Sequence, residues 1–219
     1  MEESRRFPKL DRVIAAFAAA VIVFGITFGV LARAADLSAV ETIAMSVFVF
    51  AGAAQFAVVG ALSADGGIWL AFIAGALLNL RLFALALAVA PALSKRPLVR
   101  ALQSYVVTDE SVAVASRKDG SVDGQRFVRA GIWTGSAWIV GTTIGALGGS
   151  VIKDPLVWGL DAAFPGGFLA LIAPRLRQDR TACVVAVVGA AACLLLTPFV
   201  PLGVAPLVAS LTALVAVKL

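Results

Sequence analysis

The chain has 219 residues, of which 61% are hydrophobic and only 14% charged, with a net charge of +5 and no histidine. Soluble domains sit near roughly half apolar and a quarter charged. This chain holds more apolar side chain than a soluble core of its size can hide, so a soluble enzyme is excluded and lipid is the solvent for most of its surface. The missing histidine excludes His metal sites, Ser–His triads and His proton relays. Neither a metal nor a cofactor is expected.

A lipid-spanning helix needs about 20 mostly apolar residues. After a basic tail over 1–12, apolar runs lie at 13–32, 42–62, 67–91, 126–149, 156–173, 180–197 and 203–217. Residues 13–219 are read as a single transmembrane domain, an all-α polytopic helical bundle. Arg5, Arg6, Lys9 and Arg12, with Ala32-Arg33-Ala34 beyond the first run, have the outline of a signal peptide. The run is long enough to span, however, and is read as a retained helix. Polar sequence is confined mainly to 92–104 and 117–125, which flank a short apolar piece from Tyr105 to Ser116. Thr197-Pro198-Phe199-Val200-Pro201 is a tight turn in which proline ends the preceding helix.

The excess of 18 Lys+Arg over 13 Asp+Glu points to basic cytoplasmic loops rather than to nucleic acid. If every run crosses from an inside N-terminus, the basic residues of 95–129 and 175–180 fall outside, against the positive-inside rule. If 42–62 instead enters and leaves by one side, all the cations lie inside except Arg33, Lys153 and the membrane-embedded Arg81. The prediction is therefore about six crossings, both termini cytoplasmic, and a broken or re-entrant segment at 42–62. Non-helical backbone at that depth is tolerated only beside protein or a water-filled space, so such a segment implies a cavity.

Small residues recur four apart: Gly25–Gly29, Gly131–Gly135, Gly141–Gly145 and Gly145–Gly149. This spacing lets helix backbones approach closely in lipid. It predicts a compact bundle and carries no substrate information. Cys183 and Cys193 share one apolar run. On a helix they are about 15 Å apart, too far for a disulfide, and read as packing residues.

Polar groups in apolar runs carry the functional signal, because a charge at the bilayer centre costs about 2.5–3.5 kcal/mol even on insertion scales. Arg81, in Asn79-Leu80-Arg81, has about 15 Å of helix on its C-terminal side, too much for simple snorkelling. A guanidinium fork there suits a carboxylate. Asn79 and Arg81 would point about 200° apart on an ideal helix, so both face one cavity only if the helix unwinds. Thr108-Asp109-Glu110-Ser111 reads both as a capped helix start and as acidic groups beside a cavity. Asp109 or Glu110 is a partner for Arg81, an ammonium ligand or a proton carrier. Asp161 precedes Phe164-Pro165-Gly166-Gly167 and suggests a second discontinuous helix, or else a position at the outer interface near Lys153 and Asp154. Gln55, in Phe50-Ala51-Gly52-Ala53-Ala54-Gln55-Phe56, is polar within the segment expected to be broken, and Gly52 permits close backbone approach.

A zwitterionic amino acid would find a cation in Arg81 with Asn79, an anion in Asp109 or Glu110, help from Gln55 and unwound backbone, and an apolar wall in Phe50 and Phe56. Two rivals remain. An intramembrane aspartyl enzyme would pair Asp109 with Asp161, but neither sits in a Gly-x-Gly-Asp context. A non-transporting scaffold would use Arg81 only in a structural ion pair.

Four motifs in order, Phe24-Gly25-Ile26-Thr27-Phe28-Gly29-Val30, Phe50-Ala51-Gly52-Ala53-Ala54-Gln55-Phe56, Asn79-Leu80-Arg81 and Thr108-Asp109-Glu110, resemble the AzlC family over about 13–175. The resemblance implies the large subunit of a branched-chain amino-acid exporter in a bacterial inner membrane. It also implies a small hydrophobic AzlD-like partner. The substrates would be valine, leucine, isoleucine or methionine, driven by the proton motive force. Gln55, Asn79, Arg81, Asp109, Glu110, Gly52 and Phe56 are then the substrate-binding candidates, and Asp109, Glu110 and Asp161 the proton-coupling ones. Many family members carry a histidine directly after the Asn-x-Arg arginine. Here that position is Leu82, so any role of the imidazole is absent.

Overall fold

The computed structural model describes residues 7–64, 66–117, 120–149, 176–200 and 204–212, with isolated positions between 157 and 173. Side chains of the first helix are described from Ala18 onward. The described residues are helical, with no β-structure beyond one isolated bridge between Ser116 and Val122. The helices are α1 (Phe7–Ala34), α2 (Ala39–Phe48), α3 (Gly52–Ser63), α4 (Gly67–Val89), α5 (Pro97–Tyr105), α6 (Asp109–Ala115), α7 (Gly124–Gly148), α8 (Arg180–Leu196) and α9 (Val204–Ser210). Most of the expected 156–173 run, Asp161 included, lies outside the described residues.

Two compact units are present, Met1–Gly52 with Leu80–Lys153, and Ala53–Asn79 with Asp154–Leu219. In the first, α1 packs along α7 through glycine. A Cβ added to Gly25 would lie 2.6 Å from the Trp138 carbonyl oxygen, and one on Gly29 would lie 2.5 Å from that of Thr142. Gly141 and Gly145 meet the Ile22 and Ile26 backbones in return. Residue numbers rise together along both helices, so α1 and α7 run parallel and their N-terminal ends lie on one side. With lipid as solvent, such contact replaces the hydrophobic effect as the source of helix association. Phe28, fully buried, stacks on Trp138 with ring centroids 5.9 Å apart.

The segment 42–62 is interrupted. Ser38 caps α2, accepting from the Glu41 N–H while the Glu41 carboxylate accepts from the Ser38 N–H, a reciprocal capping box. Helix α2 ends at Phe48, and α3 starts at Gly52. Between them Phe50 has φ +38°, a left-handed conformation that bulky residues rarely adopt. The polar stretch 92–104 holds a helix that composition alone does not announce. Pro97 starts α5, as proline can where no intrahelical N–H is needed, after a 3-10 turn at Ala90–Ala92. Thr108 caps α6 through a reciprocal exchange with Ser111, so the capping reading of this segment holds. Asp123 caps α7, accepting from the N–H groups of Gln125 and Arg126, and pairs with Arg117 at 2.7 Å. The Arg126 N–H first, and the Arg117 guanidinium after it, hold the Asp123 carboxyl below the usual carboxylate range. An apolar cluster of Val89, Val106, Val107, Val112, Ala115 and Phe127 closes this end of the unit.

In the second unit α3 returns onto the start of α4, where a Cβ on Gly75 would meet Val58 Cγ2 at 2.8 Å. Helix α9 packs on α8, with the Thr212 hydroxyl close to Gly189. The stretch Gly67–Ala92, α4 with its 3-10 turn, is long and apolar enough to cross a membrane. Ile68, Trp69, Phe72, Phe83 and Leu87 on it, and Val184, Val187, Leu194 and Leu195 on α8, are exposed. Outward-facing side chains of this size are what lipid contact requires.

Candidate functional site

Two interruptions meet a continuous helix in the first unit. The end of α2, the α5–α6 junction and the middle of α7 form one contact. The Phe50 ring lies over Gly135 and sits 4.9 Å from the Tyr105 ring. Val106 lies against Gly131, where an added Cβ would approach within 2.6 Å. The Tyr105 hydroxyl donates to the Val47 carbonyl. That carbonyl belongs to the last turn of α2, whose oxygens have no intrahelical donor. The glycines of α7 thus make room for the ends of two broken segments.

The same region holds the charged pair. Arg81 Nη2 is 2.8 Å from Asp109 Oδ2, with side chains 37% and 35% exposed. Arg81 sits inside α4, and Asp109 is the first residue of α6, where the helix dipole favours an anion. Arg81 Nε is buried and has no hydrogen-bond acceptor. Leu82, beside Arg81, and Val107, two residues before Asp109, line a cleft of about 360 Å³ with Phe48, Val49, Phe50, Phe83, Ala86, Ser104 and Tyr105. Its wall is mainly apolar, and the size falls within the range of small-molecule sites. Arg81 and Asp109 themselves do not line this cleft; it reaches them only through their chain neighbours Leu82 and Val107.

A buried polar chain anchors the rear of this region. Trp138 Nε1 donates to Ser46 Oγ at 3.2 Å, and Ser46 Oγ donates to Thr142 Oγ1 at 2.9 Å. It ties the half-helix α2 to α7 above the break.

Of the sequence candidates, Arg81 and Asp109 are brought together. Glu110 is half-buried and forms no ion pair with any described residue. Helix α4 stays continuous through Asn79 and Arg81, so the two side chains point to different faces and Asn79 does not share the Arg81 face. Gly52 faces the Trp138 indole, where an added Cβ would meet Cη2 at 2.8 Å, so it serves close packing. Gln55 is fully buried in the first turn of α3, and Phe56, next to it, is half-buried. Both belong to the second unit with Asn79. Tyr105, Ser46 and Thr142 are participants that sequence reasoning passed over. Tyr105 carried a signal, as the single tyrosine of the chain at the edge of an apolar piece.

Comparison with known proteins agrees with the motif pattern. The family described as AzlC protein matches residues 16–152. An uncharacterized membrane protein of Archaeoglobus fulgidus is 34% identical over 166 residues, covering 72% of this chain and 70% of that protein. The inner membrane protein YgaZ of Escherichia coli is 27% identical over 179 residues, covering 75% and 71%. No solved structure matches. The chain is an all-α membrane protein, and it belongs to the AzlC family.

Proposed function

We propose that the chain is the large subunit of a secondary transporter in the inner membrane. It exports branched-chain amino acids, valine, leucine and isoleucine with methionine as a further candidate, together with a small hydrophobic AzlD-like subunit. About six crossings with both termini cytoplasmic complete this reading. Family membership supports the transporter class, and one observation carries the mechanism: the partly exposed Arg81–Asp109 pair, whose chain neighbours Leu82 and Val107 line an apolar cleft.

The chemistry runs as an exchange of partners. Asp109 occupies Nη2 of Arg81. A substrate carboxylate competes with Asp109 for the exposed side of the guanidinium, as a planar fork permits. The displaced Asp109 then receives the substrate ammonium or a proton, and Glu110 and Asp161 are the other proton carriers. The aliphatic side chain lies against Phe50, Phe83 and Leu82. Alternating access follows if the ends of α2 and α6, both interrupted at this depth, shift against the continuous α4.

Efflux of preloaded labelled valine, with and without the AzlD-like subunit and an uncoupler, tests this directly. Partner-dependent efflux that collapses with the uncoupler is expected. Arg81→Gln should abolish it in protein that is still inserted and helical. Normal export by that variant sinks the mechanism. In a purely structural ion pair, Arg81→Asp combined with Asp109→Arg would restore function, whereas a substrate-binding arginine cannot be moved across the cleft without losing export.

A further inference from the structure

Helix α5 combines two properties that need different surroundings. Leu98, Leu102 and Tyr105 form one stripe at helical spacing and are 74%, 67% and 46% exposed. Lys95 and Arg96 lie at the helix start and Arg100 on the face opposite the stripe, with no acidic residue between 95 and 105. At nine residues, α5 is about 14 Å long, too short to span. Exposed leucines require apolar surroundings, and unpaired cations require water or anions. The boundary between headgroups and acyl chains supplies both.

A second observation lies alongside. A cleft of about 770 Å³ opens between α5 and the start of α7. Gln103, Gln125 and Arg129 line one part of it, and Ile132 and Trp133, one turn further along α7, line the other. Ile132 and Trp133 are 54% and 57% exposed. Asp123 also borders the cleft, but its carboxylate is already engaged by Arg117 and the α7 backbone. Polar groups above an exposed apolar turn match a headgroup above the first carbons of its acyl chains, and tryptophan favours that depth.

We propose that α5 lies in the membrane interface and, with this cleft, binds an anionic phospholipid of the bilayer. The occupant is a lipid rather than a soluble anion because α5 presents exposed leucines on one face and cations on the other and at its start, and the Ile132–Trp133 turn adds an exposed apolar surface at the cleft. The inference depends on the membrane placement of the chain and not on its substrate.

The test uses the full chain in nanodiscs of phosphatidylcholine, alone or with phosphatidylglycerol. Lipids retained after transfer to detergent are identified by native mass spectrometry. Phosphatidylglycerol should be retained in preference, the preference should weaken as salt rises, and the combined Lys95→Gln, Arg96→Gln and Arg100→Gln variant should lose about ten-fold or more of it. A fluorophore on Leu102→Cys, with Cys183→Ala and Cys193→Ala, should be quenched by brominated lipid and shielded from aqueous iodide. Equal retention of the two lipids, or retention insensitive to salt, overturns the proposal. So does a Leu102 label that is open to iodide, or one shielded only when a second protein is added. A label in lipid without any preference for phosphatidylglycerol overturns it as well, because the cations would then have no role. The salt series keeps the question decidable should the triple variant fail to fold.

Discussion

Along α7, the glycines of the C-terminal half meet an intact helix and those of the N-terminal half meet the ends of interrupted ones. At Gly141 and Gly145 the partner is α1, parallel and in backbone contact. At Gly131 and Gly135 the partners are Val106, at the α5–α6 junction, and Phe50, at the α2–α3 break. The local device is the same, glycine at four-residue spacing, but the outcomes differ. A continuous partner hydrogen-bonds its own backbone and can serve as a fixed wall. An interrupted partner leaves terminal groups that need outside donors, such as the Tyr105 hydroxyl on the Val47 carbonyl. The first partner is satisfied by its own hydrogen bonds, and the second depends on donors from elsewhere in the fold.

If that division is right, variants in the seam should damage folding first and variants at the breaks should damage transport first. The largest effect is expected for Gly145→Leu, whose side chain would run into the Ile26 backbone. Overpacking against main chain should cost about 3 kcal/mol or more, read as loss of accumulation and a lowered unfolding midpoint in detergent. Gly148→Ala, with nothing within 4 Å of the new Cβ, is the matched control. It should be neutral or gain up to about 1 kcal/mol. A Gly145→Leu protein with wild-type stability would erase the distinction.

Tyr105→Phe sharpens the comparison from the other side. It keeps the ring against Phe50 and removes the donor to Val47. Stability should fall by only about 1 kcal/mol, while valine efflux should drop by a larger proportion than the amount of folded protein. Equal losses in both would place Tyr105 on the structural side. The smallest effect belongs to Asp123. Its folded-state carboxyl lies below its ordinary range, so its contribution is present above about pH 4 and fades as pH falls through the lower folded value. Asp123→Asn should be slightly less stable at neutral pH and should flatten the acid limb of the stability curve. An unchanged acid limb would remove Asp123 as its source.

Much of this was legible in the sequence, for identifiable reasons. Apolar runs marked the bodies of α1, α4, α7 and α8 because lipid tolerates little else. The interruption within 42–62 followed from charge bookkeeping, but its position did not. Gly52 was the natural suspect, whereas the left-handed residue is Phe50, held there by Gly135 and Tyr105 from distant segments. A partner for Arg81 at Asp109 or Glu110 was readable because each charge is costly alone, but only the fold selects Asp109. The continuity of α4 past Asn79 was not readable, since nothing local decides whether a polar pair unwinds a helix. Helix α5 was hidden because its charges masked the leucine spacing.

The α1–α7 seam also has a consequence for how the protein is made. The glycine face of α1 leaves the ribosome roughly a hundred residues before its partner, a delay on the order of 5–20 s at ordinary elongation rates. Through that interval the glycine stripe of α1 lacks its α7 partner. Nascent neighbours, including other copies of α1, are competing partners. Assembly of this half of the protein is therefore a race between translation and mispairing, and slower synthesis lengthens the exposure.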